Sequence, residues 1–185
     1  MADITQLILD DHETFRREFA ALDGTDEPEQ LHEIWEHLGA LLETHAAAEE
    51  AIFYPQLLRR GDDPEAETLD AIGDHNEIRD GVREAGRYPV GSPPWWDAVR
   101  KTRGANSEHM AEEEDDALPD FRRNTPLSVR VDLGHQFLKF KTDHPDARGL
   151  DTRDKDPHGY VGAVQARISP GGESGSLGIG SLKGR

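Results

Sequence analysis

The chain carries one pattern twice. Laid against itself at a step of 63 to 64 residues, Asp11-His12 with Arg16 falls on Asp74-His75 with Arg79. In the same register His45 with Glu49, Glu50 and Pro55 falls on His109 with Glu113, Glu114 and Pro119. The steps are 75 − 12 = 63 and 109 − 45 = 64. So many matches in one register mean that the two halves share one design. Whatever the first half does with its two histidines, the second repeats.

That design is a helix hairpin. Leu31, Trp35, Leu38, Leu42 and Ile52 recur at helical spacing, and His45 and Glu49 continue the stripe. Ile8, Phe15, Phe19 and Leu22 do the same around His12, and Trp95, Ala98, Thr102 and Ala105 line up with His109. Three stretches, Gly24–Pro28, Gly61–Pro64 and Gly91–Pro94, open with glycine and close with proline, as helix ends and starts do. The spacing predicts four antiparallel helices over about 3–23, 28–59, 64–88 and 94–118. The fold expected is all-α, an up-down-up-down four-helix bundle over residues 1–120. A fifth helix is expected over 121–144, after Pro126, with Val129, Leu133, Phe137 and Phe140 on one side. Residues 145–185 turn to Asp, Arg, Lys, Gly and Pro and are expected to be extended or disordered, the Gly/Ser-rich 171–185 a flexible tail.

In an antiparallel hairpin, two residues share a height when their midpoint falls on the connecting loop. His12 and His45 centre on 28.5, Glu49 and His75 on 62, His75 and His109 on 92, each at a loop. His12, His45, Glu49, His75, His109 and Glu113 are therefore expected at one level of the bundle, facing inward. Four imidazoles and two carboxylates are costly to bury unless they are paired or coordinated. Arg16 and Arg79, one turn from His12 and His75, are the nearest cations. A metal resolves the conflict directly, and six nitrogen and oxygen ligands suit two first-row ions better than one.

Composition narrows the chemistry. Across 185 residues, 21 Lys and Arg against 38 Asp and Glu give a net charge of −17. Such a field disfavours nucleic acid and anionic membrane and favours cations. There is no cysteine, which removes disulfides, thiolate metal sites and cysteine nucleophiles. Nine histidines are left to do the ligating. No apolar run approaches membrane-spanning length, and the opening Met-Ala-Asp-Ile-Thr-Gln has no basic-then-apolar pattern, so the expected compartment is the cytoplasm.

The set His12, His45-x-x-x-Glu49, His75, His109-x-x-x-Glu113, with the run Glu49-Glu50-Ala-Ile-Phe-Tyr-Pro55, resembles hemerythrin-like proteins carrying the HHE cation-binding domain. The resemblance covers Ile4 to Pro119. It implies a four-helix bundle around a non-haem di-iron centre, with the six residues as iron ligands and Glu49 and Glu113 as bridges. Iron is the metal it implies, with manganese and zinc ranked behind. Oxygen-carrying members have a further histidine where this chain has Arg79, and their last carboxylate lies five residues after the fourth-helix histidine rather than four. Those departures turn the expectation from oxygen carriage toward nitric oxide, peroxide or redox and iron sensing.

Other residues rank behind these six. Glu50 and Glu114 point about 140° from their histidines. His32 is expected at the surface, His37 is left outside the set, and His135 lies opposite the Phe137/Phe140 face. Tyr54 falls about 180° from His45 on a straight helix, a packing residue unless the helix is distorted there. Asp116 replaces Ile52 in the repeat and is placed to tune the site. Three functions compete: binding or sensing of oxygen, nitric oxide or peroxide; enzymatic removal of peroxide or nitric oxide; and metal storage. No dedicated acid–base pair favours the enzyme.

Overall fold

Proline opens four of the helices at a position where its missing N–H is not needed. These are α2 (Pro28–Ala48), α4 (Pro64–Ala85), α5 (Pro93–Glu112) and α8 (Pro157–Ile168). Helix α1 (Ile4–Leu22) is started instead by Asp3, whose carboxylate accepts from the N–H groups of Thr5 and Gln6. The computed structural model describes residues 3–169, and no strand occurs among them. Helix α2 continues through a π-turn (Glu49–Phe53) into α3 (Tyr54–Arg60). Helix α5 continues through a second (Glu113–Ala117) into α6 (Leu118–Asn124). Helix α7 spans Leu127–Asp143, and a single 3₁₀ turn (Pro145–Ala147) follows it.

The four expected helices pack as α1 against α2 and α4 against α5, with α4 also touching α2 and α3. Two boundaries move. The last bundle helix runs on to Asn124 rather than ending near 118, because Phe121 is fully buried and holds α6 in place. The expected extended or disordered state of 145–185 is corrected at the short turn over 145–147 and over Pro157–Ile168, which is helical, while 150–156 carry no regular element. Asp156 caps α8, and Val161 and Val164 bury themselves while α8 packs on α3 and α4. Residues 171–185, expected to be a flexible tail, lie outside the described residues.

Both π-turns precede a proline, Pro55 and Pro119. A proline inside a helix lacks the N–H for the carbonyl four residues back and clashes with it, and a wide turn relieves both problems. The close approach of α4 to α5 depends on Gly81, where a Cβ would run into Thr102. Gly91, at φ 77°, supplies the left-handed residue of the turn between them.

The apolar core comes in two parts. One gathers Ile4, Ile8, Phe53, Leu57, Ile72, Leu118, Phe121 and Phe137. The other gathers Phe15, Phe19, Leu31, Trp35, Leu38, Leu42, Ile78 and Trp95. Between Ile8 and Phe15 sits His12, and between Ile72 and Ile78 sits His75, so a polar layer divides the two.

Candidate metal centre

His12, His45, Glu49, His75, His109 and Glu113 are all buried in that layer, none more than 3 % exposed. Their ligating atoms form two groups that share a residue. His12, His45, Glu49 and Glu113 offer four atoms within 4.8 Å of one another, and Glu49, His75 and His109 offer three. Glu49 turns one oxygen to each group: Oε1 lies 3.0 Å from His45 Nε2 and Oε2 lies 3.3 Å from His75 Nε2. Glu113 Oε2 lies 3.2 Å from His12 Nε2 and 3.7 Å from His109 Nε2. His75 Nε2 and His109 Nε2 face each other at 3.2 Å.

Proximity here is not bonding. His12 Nε2, His45 Nε2, both oxygens of Glu49 and Glu113 Oε2 make no hydrogen bond, although all are buried. Their short mutual distances lack hydrogen-bond direction. Five unpartnered buried polar atoms in one small volume form a donor set that a cation satisfies, and neutral imidazole with carboxylate suits a first-row metal. The residues fit the group.

Each histidine is steered by a carboxylate at its other nitrogen, as metal-binding imidazoles are. His12 Nδ1 donates to Glu114 (2.9 Å), His45 Nδ1 to Asp11 (3.0 Å) and His75 Nδ1 to Glu50 (2.9 Å). His109 Nδ1 faces Asp74 at 3.4 Å. The repeat explains the pattern. Asp11 and Asp74 serve the other histidine of their own hairpin, whereas Glu50 and Glu114 each serve a histidine of the opposite hairpin. Arg16 and Arg79 pair with these outer carboxylates, at 2.7 Å to Glu114 and 3.0 Å to Glu50, and not with the inner six residues.

The electrostatics follow from this packing. Burial works against charge on His45, but Glu49 and Asp11 outweigh it and raise its pKa to about 10. His75 is raised to about 9 against the same burial by Glu49 and Glu50. Burial alone raises Glu49, yet His45 and His75 hold it well below the usual carboxylate range. Glu50 falls to about 2, since His75, Arg79 and Lys155 overcome its burial.

A family model for the hemerythrin HHE cation binding domain matches residues 3–121. The chain belongs to that family. No curated protein and no solved structure gives a significant match. Within the hemerythrin domain, the buried His/Glu cluster is compatible with metal binding. No helix among the described residues is long and apolar enough to cross a membrane.

Tyr54 is where straight-helix projection misleads. The π-turn adds about one residue, close to 100°, and swings the ring inward. Its hydroxyl donates to Glu113 Oε1 at 2.6 Å. Burial, with Glu113 and Glu49 nearby, pushes the phenol well above its ordinary pKa and keeps it a donor. Asp11 and Asp74 stood in the repeat without an assigned role, and the Asp-His pairing was the signal available. Lys141 and Lys155, which reach Asp11 and Glu50 from outside the repeat, left no such signal. His32, His37 and His135 are exposed, away from the cluster.

Two cavities open on the His/Glu cluster. One, of about 240 Å³, has Tyr54, His109 and Glu113 in its lining together with Glu67, Asp70, Glu112 and Asp116. Burial and the neighbouring Asp120, Asp116 and Asp63 raise Glu67 to about 7. The other, of about 280 Å³, reaches His75 and Arg79 past Trp35, Leu42, Ile78 and Val82.

Proposed function

We propose that the cluster holds two iron ions and that the protein binds or senses a small ligand there: oxygen, nitric oxide or peroxide. His12 and His45 would hold one ion and His75 and His109 the other, with Glu49 and Glu113 between them. The iron pair would supply a redox-active ligand site. What carries the reading is the set of five buried, unpartnered polar atoms converging between four histidines and two glutamates.

The surroundings support this ligand class. An acidic cavity lined by His109 and Glu113 discriminates against anions and admits neutral molecules. Tyr54 holds Glu113 by one oxygen and leaves the other turned to the histidines, so the carboxylate stays oriented. Glu114, Asp11 and Glu50 keep the Nδ1 protons of His12, His45 and His75 in place and direct their Nε2 atoms inward, and Asp74 faces the Nδ1 of His109. The proposed setting is the cytoplasm. A second reading, removal of peroxide or nitric oxide, is favoured by one observation: the protonated Tyr54 phenol in the wall of that same cavity.

The test is metal content per chain after expression with added iron, beside the Glu49→Ala/Glu113→Ala double variant. Two irons per chain, lost in the variant, together with an absorbance change when the reduced protein meets one of these ligands, is the expected result. One zinc, no metal, or no spectral response to any of the three ligands sinks the reading.

A further inference from the structure

The two hairpins alone would give their histidines matching support. Arg16 pairs with Glu114 and Arg79 with Glu50, at equivalent places in the repeat. Two lysines beyond residue 121 break the match. Lys141 of α7 binds Asp11, at 2.6 Å to Oδ2, and Lys155, just before α8, binds Glu50 Oε2. One carboxylate therefore backs His45 in the first ligand group and the other backs His75 in the second. Asp74, behind His109, has no lysine or arginine among the described residues.

Lys155 is the more firmly placed of the two. Asn76, next in sequence to His75, donates to the Lys155 carbonyl at 2.7 Å and accepts from its N–H at 2.9 Å. Five residues on, the Tyr160 hydroxyl donates to the backbone carbonyl of Glu50 at 2.6 Å. That carbonyl lies in the π-turn, and Pro55, five residues further along, has no N–H to offer it. Glu50 is thus held at its backbone by Tyr160 and at its carboxylate by Lys155 and Arg79.

We propose that Lys155 is a positioning residue of the metal centre. It acts through Glu50 on the Nδ1–H of His75, and the segment outside the hemerythrin domain completes the site. The proposal rests on the metal reading above for its consequence, but the Lys155–Glu50–His75 relay is made of protein groups alone and can be tested without metal. Outer-sphere partners of this kind typically change metal affinity by about 10–100-fold.

The experiment follows solvent exchange of the His75 Nδ1–H by nitrogen-15 NMR, in metal-free and in zinc-loaded protein, zinc being diamagnetic. Lys155→Met is expected to speed that exchange and to weaken one of two zinc-binding steps by about tenfold. Lys155→Arg is expected to restore both, and the His109 N–H stays unchanged. Tyr160→Phe, which loosens Glu50 from the backbone side, moves His75 the same way and serves should Lys155→Met not fold. A lower melting temperature with unchanged His75 exchange makes the lysine a packing residue and overturns the proposal. Zinc titration of the wild type separates the two ideas. Fewer than two sites removes the two-metal reading, while exchange in the metal-free protein still decides the role of Lys155.

Discussion

His45 and His75 sit against carboxylates that hold their rings protonated well into the alkaline range when no metal competes. The stability this gives the metal-free protein is fully present below their unfolded pKa near 6.5. It is lost as pH rises toward about 9 for His75 and about 10 for His45. Glu49 works from the other side: its depressed pKa contributes stability above the ordinary carboxylate range, which disappears on acidification. Metal must displace the protons on both rings, so its affinity climbs over the interval in which the metal-free fold weakens. Melting curves at about pH 6 and about pH 9 should therefore diverge: the metal-free protein loses stability at the higher pH, while the gain on adding metal grows. A metal-free protein that becomes more stable from about pH 6 to about pH 9 contradicts the pairing of His45 and His75 with Glu49.

Among the elements, α4 and α5 show how one atom decides a packing distance. Gly81→Ala puts a Cβ against the side chain of Thr102 and within 3.3 Å of its Cα, which cannot rotate away. Overpacking of this kind costs about 1–3 kcal/mol and outweighs the better helix propensity of alanine. Gly104→Ala, inside α5 as Gly81 is inside α4, meets nothing within 4 Å and should gain about 0.5–1 kcal/mol. Urea unfolding of the two variants should give opposite signs; the same sign for both removes the close approach as the cause. The helices and the six inner residues were legible because period 3.6 and the repeat register are both written in side-chain type. The π-turns were not, although Pro55 and Pro119 were in view, since projection onto a straight helix assumes the geometry those prolines break. Helix α8 was hidden for another reason. Its buried apolar side chains Val161 and Val164 are few, and the polar stretch before it masks the docking that Asn76, Tyr160 and Lys155 supply.

At the scale of the whole molecule, the division of the core by a layer of imidazole and carboxylate governs how the protein comes apart. Neither apolar half reaches the other except past polar side chains, which without a cation gain little from one another once the pH is high enough to remove the protons of His45 and His75. Cooperativity across the layer is then weak, and each half behaves as its own unit of opening. Amide hydrogen exchange should find two plateaus of opening free energy in the metal-free chain, one around Phe19, Trp35 and Trp95 and one around Phe53, Phe121 and Phe137. Metal binding should merge them into one. A single plateau in both states would show that backbone continuity through α2 and α5 suffices to couple the halves. On the two-plateau outcome, losing the ion is a mechanical event as well as a chemical one. The bundle becomes a jointed rod, and a partner able to tell stiff from jointed could read the state of the centre from the surface without touching it.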